Sequence, residues 1–81
     1  MGTREKVYEI LKKLSGLESI YDDDVLQSEL GFDSYVMVSL LIELEGVLNI
    51  EFSESDMNPF ALEKVKDVVN LAEKYCGKVR E

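Results

Sequence analysis

The pair Asp33-Ser34 lies where a Gly-containing loop meets the most apolar stretch of the chain. The run Leu30-Gly31-Phe32-Asp33-Ser34 predicts a turn followed by a small hydroxyl in the first turn of a helix, open to solvent. A serine becomes a nucleophile only when a base takes its proton, and the 81-residue chain contains no His. No imidazole can activate Ser34 as in a Ser-His-Asp hydrolase, so the hydroxyl is suited to act as an acceptor to which a second protein brings the reactive group. No phosphate-cradling Gly loop and no Cys-His metal spacing offers other chemistry, and the chain is not expected to be an enzyme. The run Tyr21-Asp22-Asp23-Asp24 lacks the spaced oxygen ligands, Gly turn and terminal Glu of a calcium loop, and is expected to be a solvated loop or helix start. Glu43 and Glu45 would point about 200° apart on a helix and cannot flank one substrate, which leaves them as surface charges useful at most for docking. Cys76 has no second Cys for a disulfide and reads as a structural thiol.

The elements that must hold Ser34 follow from hydrophobic spacing. Val7, Ile10, Leu11 and Leu14 predict a first helix from Thr3 to about Leu14, with Gly16 as its stop. Met37, Leu40, Leu41, Leu44, Val47 and Leu48 form a core stripe on a central helix over Ser34 to Leu48. Val65, Val68, Val69 and Ala72, continued by Tyr75 and Cys76, predict a last helix ending at Gly77. Between Ser15 and Asp33 the pattern breaks up, and Leu17, Ile20, Val25, Leu26 and Leu30 are expected to pin a long loop over the bundle. Asn49 to Ser53 looks extended, and Ser55 or Asp56 could cap a short helical turn around Met57 to Leu62 containing Pro59. The expectation is one all-α domain over residues 1–81. The central helix carries more apolar residues than one face needs: Tyr35, Ser39 and Ile42, with Val36 nearby, form a second strip that either the loop or a partner covers.

Charge limits the partners. The net charge of -8 disfavours nucleic acid and anionic membranes, whose binding depends on Lys and Arg. All nine basic residues lie toward the two ends, while twelve acids and no base occupy the span from Leu14 to Glu63. A solvated acidic face accounts for that run. Its coincidence with an exposed serine also suits an electrostatic landing surface for basic partners. No apolar run approaches membrane-spanning length and the N-terminal residues lack a signal-peptide core, so a cytoplasmic location is expected. Lys6 stands where a myristoylation motif wants Ser or Thr.

Taken together, Leu30 to Ser34, the following Val38, Leu40, Leu44 and Glu45, the Asn49-Ile50-Glu51-Phe52 exit and the short-helix-then-helix ending resemble the acyl carrier protein superfamily, which includes peptidyl and aminoacyl carriers. The resemblance covers nearly the whole chain. It implies a four-helix bundle with three main helices, a short third helix and a long loop between helices one and two. It also implies a covalent 4'-phosphopantetheine arm on Ser34, with Asp33 as the adjacent motif acid for transferase recognition or for metal binding during transfer. The implied partners are a phosphopantetheinyl transferase, an acyl- or aminoacyl-loading enzyme and downstream synthases or transferases with basic docking patches. Tyr35, Val36, Ile42, Glu43 and Glu45 are the docking candidates. Tyr35 stands where Leu is usual, and Val36 and Ser39 replace acids common in fatty-acid-synthesis carriers. That departure favours a discrete carrier in a dedicated polyketide, lipid or aminoacyl pathway over the general fatty acid carrier. A peptidyl or aminoacyl carrier of a nonribosomal-type pathway is the alternative. From a different class, an unmodified acidic module that binds a partner protein would use the same charge and apolar strip without Ser34.

Overall fold

Helix α1 (Thr3–Ser15) starts where the Gly2 N–H donates to Glu5 Oε1 at 2.9 Å, and stops at Gly16, whose φ of 76° and N–H to the Lys12 carbonyl at 2.8 Å form a left-handed cap. In this computed structural model, residues 2–58 and 61–79 are described. Val7, Ile10 and Leu11 form the buried face of α1, as their spacing predicts. Helix α2 (Ser34–Leu48) buries Met37, Leu40, Leu41 and Leu44 and closes on Asn49 at φ 56°. Helix α3 (Val65–Val79) buries Val65, Val68, Val69 and Ala72. α1 packs against both of the others. The fold is all-helical, and among the described residues the strand-like pairing is a single bridge between Val25 and Lys64.

The long connection from α1 to α2 is part of the core. Ile20, Leu26, Leu30 and Phe32 are all buried, with Leu26 fully so. Gly31, at φ 75°, turns the chain between Leu30 and Phe32 in a conformation that residues with a Cβ rarely adopt, so that both neighbours enter the core. Backbone hydrogen bonds clamp the connection to the start of α3: Leu26 N–H to the Glu63 carbonyl at 2.9 Å, Val65 N–H to Asp24 at 3.0 Å and Lys66 N–H to Asp22 at 3.0 Å. Asp67 turns its carboxylate back on the N–H groups of Glu63 and Lys64, completing that end of the helix. The three consecutive aspartates act separately. Asp22 accepts from Arg4 at 2.6 Å and from the Tyr8 hydroxyl, Asp23 lies 3.7 Å from Lys66 Nζ, and Asp24 accepts from the Tyr21 N–H at 2.9 Å.

Several expectations are corrected by tertiary contacts. A 3-10 turn that the sequence did not indicate lies at Glu54–Asp56, following Ser53 and ending at Met57, while of the turn expected around Met57 to Leu62 the described residue Ala61 is 3-10, with its N–H on the Asn58 carbonyl at 3.1 Å. Pro59, part of the expected turn, lies outside the described residues. Asp56 accepts from the Tyr75 hydroxyl at 2.5 Å and from Lys74 at 3.3 Å, while Tyr75 also accepts from the Ser53 N–H at 2.9 Å and meets Phe52 edge to face at 4.9 Å. Those bonds place the turn where α3 can hold it. Gly77 does not end α3, which continues to Val79, since one helical Gly costs only about 1 kcal/mol. Val47, assigned to the core by spacing, is 48% exposed, and Leu17, expected to help pin the long connection, is 41% exposed. Asn49 is left-handed rather than extended, because it forms the cap of α2.

Hydrogen bonds from Arg4 and Tyr8 hold the Asp22 carboxyl below its ordinary range, and those from Tyr75 and then Lys74 do the same for Asp56. A carboxyl depressed in the folded state stabilises fully above its unfolded value of about 3.9, and that contribution is lost as pH falls through the folded value. The melting temperature is therefore expected to fall below about pH 4, with a shallower acid limb in Asp56→Asn, measured by circular dichroism. Burial and the bond to Asp22 push the Tyr8 phenol up to about 12. Its contribution is present below its unfolded pKa of about 10 and disappears as pH rises through the folded value.

Gly46 lies inside α2, is exposed and has an ordinary helical φ, and a Cβ built there meets nothing within 4 Å. Gly46→Ala is expected to raise stability by about 1 kcal/mol and the melting temperature by about 4–8 °C. A thermal melt checks it.

Candidate functional site

Ser34 is the first residue of α2 and is exposed. Asp33 immediately before it is extended (φ -95°, ψ -178°), and its Oδ1 accepts the Val36 N–H at 2.9 Å while its carbonyl accepts the Met37 N–H at 2.9 Å. Asp33 is thus the N-cap, and it sets the direction in which Ser34 leaves the helix. Phe32, buried at 3% exposure, anchors the residue before the cap, with its N–H on the Leu26 carbonyl at 3.0 Å. The position of the hydroxyl therefore descends from the long connection as much as from α2.

A cleft of about 500 Å³ is lined by Arg4, Glu5, Tyr8, Ile20, Tyr21 and Asp22, and another of about 660 Å³ runs from Glu51 to Asp56 with Lys74 and Tyr75. Neither has a residue of α2 in its wall. An exposed hydroxyl at a helix start can be reached by a second protein's active site. A phosphodiester there would also lie at the positive end of the helix dipole, beside N–H groups without intrahelical acceptors. The residues at this position fit a phosphate-linked arm.

The other candidate residues separate into groups. Tyr35 is 78% and Ile42 55% exposed, so the long connection does not cover the second strip. Val36 is half-buried against the core and contributes only its edge to that surface. Glu43 accepts from Lys13 Nζ at 2.9 Å, and Glu45 accepts from the Phe52 N–H at 2.8 Å. Both carboxylates already have partners within the chain, and Glu45 fixes the exit from α2. Val38, 39% exposed, and Gly46 belong to the same outer side and were missed. Their spacing from Tyr35, three and eleven residues on, was the available signal.

No helix among the described residues is long and apolar enough to cross a membrane. Neither the search of curated proteins nor that of solved structures gave a match. A family profile described as a phosphopantetheine attachment site matches residues 5–72, which includes most of α1, all of α2 and the first half of α3. On that match the chain belongs to the phosphopantetheine attachment family within the acyl carrier protein superfamily, non-catalytic carriers that bear a covalent 4'-phosphopantetheine on a serine.

Proposed function

We propose that Ser34 is the serine that carries the arm, and that the protein holds acyl or aminoacyl intermediates for a dedicated biosynthetic pathway. The observation that carries this reading is the exposed hydroxyl at the first position of α2, fixed by the Asp33 cap. Three of the other serines are less suited. The Ser53 hydroxyl bonds Asp56 and Tyr75, Ser15 accepts the Leu17 N–H, and Ser39 is half-buried in mid-helix. In the transfer, Ser34 Oγ forms a bond to the phosphorus of coenzyme A that bears the pantetheine. The pyrophosphate bond breaks, 3',5'-ADP leaves, and the serine proton passes to a base on the transferase. The bound arm supplies a thiol that holds the cargo as a thioester. The chain itself supplies the tether point, which keeps the cargo at high effective concentration beside successive enzymes.

The absence of Asp, Glu, Lys and Arg between Ser34 and Ile42 supports a dedicated pathway, because the resemblance places acids at Val36 and Ser39 in carriers of general fatty acid synthesis. Polyketide, specialised lipid and aminoacyl chemistry are the pathways in view, with loading and downstream enzymes as partners and the cytoplasm as location. Incubating the chain with coenzyme A, Mg²⁺ and a broad-specificity phosphopantetheinyl transferase should add the mass of one arm. An unchanged mass overturns the reading.

Asp33 has two separable roles. Asp33→Ala should cost about 1 kcal/mol through loss of the cap, whereas Asp33→Asn keeps a capping oxygen and should preserve stability. If the carboxylate also serves transferase recognition or metal binding, Asp33→Asn slows loading without lowering the melting temperature. Equal loading rates would remove both of those roles.

A further inference from the structure

The hydrogen bonds that fix Ser34 do not end at the Asp33 cap. They run back through the long connection to a carboxylate on α3. Asp67, half-buried in the first turn of α3, accepts with one oxygen, Oδ2, from the N–H groups of Glu63 at 3.1 Å and Lys64 at 3.0 Å. Held this way, Glu63 presents its carbonyl to the Leu26 N–H at 2.9 Å, and Lys64 pairs with Val25 in the isolated bridge. The Leu26 carbonyl in turn accepts the Phe32 N–H at 3.0 Å, and Phe32 leads directly into Asp33, whose carboxylate takes the Val36 N–H at 2.9 Å. Ser34 stands at the end of that series.

Burial makes the series stiff. Leu26 and Phe32 are both enclosed in the core, so water cannot replace a bond lost between them, and a peptide group left without its partner there is costly. The first N–H groups of α3 are engaged as well, since Val65 and Lys66 donate to the Asp24 and Asp22 carbonyls at 3.0 Å each. The entry of α3 and the connection therefore share one arrangement. Asp67 holds the two residues, Glu63 and Lys64, at which they meet. Attachment needs an exposed hydroxyl and a capped α2, and neither requirement by itself calls for a residue of α3.

We infer that Asp67 is a positioning residue for the loading of Ser34, acting through Glu63, Leu26 and Phe32 to hold the hydroxyl in line for phosphoryl transfer. The inference rests on Ser34 being the attachment point. A reacting group displaced by about 1 Å can lose on the order of a hundredfold in rate, while the exposed surface that a transferase grips stays as it was. Loss of the Asp67 bonds is therefore expected in kcat and not in KM.

The test measures loading of the full chain by mass, with coenzyme A, Mg²⁺ and a broad-specificity phosphopantetheinyl transferase, for wild type, Asp67→Ala, Asp67→Asn and Gly16→Ala. Gly16→Ala is the stability control: it places a Cβ at a φ of 76° in the cap of α1, which lowers the melting temperature without removing any bond of the series. Asp67→Ala should lower kcat about fivefold or more with KM within about twofold. Asp67→Asn keeps a side-chain oxygen able to accept the same two N–H groups and should restore the wild-type kcat. Gly16→Ala should load at the wild-type rate. Amide hydrogen exchange reads the series within the chain itself, and the Phe32 N–H should lose about fivefold more protection in Asp67→Ala than in Gly16→Ala. A wild-type kcat in Asp67→Ala overturns the inference, as does an equal fall in Gly16→Ala, a failure of Asp67→Asn to restore the rate, or equal Phe32 exchange in the alanine variants. No mass gain on wild type would remove the attachment reading and the inference with it, and is recognised by the inertness of all four proteins.

Discussion

Ser34→Ala is expected to abolish acceptance of the phosphopantetheine arm while leaving the fold as it is. The hydroxyl supplies the oxygen of the phosphoester bond, so the loss should be complete rather than partial. Ser34 is exposed, and the cap of α2 is made by Asp33 and not by the serine. Surface substitutions of this kind move stability by no more than about 0.5 kcal/mol. Ala is also the better helix former at the first position. Intact-mass measurement and a thermal melt on the same sample separate loss of the acceptor from loss of the protein. Reduced but persistent modification would mean that another serine shares the role.

Leu26→Ala should do the reverse, lowering stability by about 2–5 kcal/mol and the melting temperature by about 10 °C or more. Leu26 belongs to no helix, yet it is fully buried, and both of its backbone groups are used: the N–H on Glu63 and the carbonyl under Phe32. Truncating it leaves a cavity where the connection, α3 and the residue anchoring the Asp33 cap all meet. A small domain has about 5–15 kcal/mol in total, so the loss is a large fraction of what is available. Chemical denaturation should show a lower midpoint at an unchanged slope, because the core is weakened and not redrawn. A midpoint near wild type would show that the connection is peripheral.

The two substitutions mark what sequence could and could not convey. The bounds of α2 were legible because Asp33, Ser34 and the apolar run are local signals, and the stop at Gly16 was legible because a left-handed cap strongly favours glycine. The family resemblance was legible in Leu30 to Ser34 and in the helices that follow, and the match over residues 5–72 agrees with it. The 3-10 turn at Glu54–Asp56 was not, since Tyr75 and Lys74 hold Asp56 from far along the chain. Val47 fits the apolar periodicity of α2 but lies outside the packed layer, which a pattern within one helix cannot reveal. Glu43 and Glu45 looked like free surface charges because their partners, Lys13 and the Phe52 N–H, are brought to them only by the folded chain. Around Ser34, periodicity located the second apolar strip, while the exposure of Tyr35 and Ile42 required the structure.

The measurement that bears most directly on the central claim is fragment mass analysis of the wild-type chain after reaction with coenzyme A and the transferase. Seven serines are present, at positions 15, 19, 28, 34, 39, 53 and 55, so the modified residue can be told from six internal controls. The arm is predicted on Ser34 alone, in the fragment that contains Asp33 and Tyr35. An arm on any other serine, or none on the chain, would contradict the account.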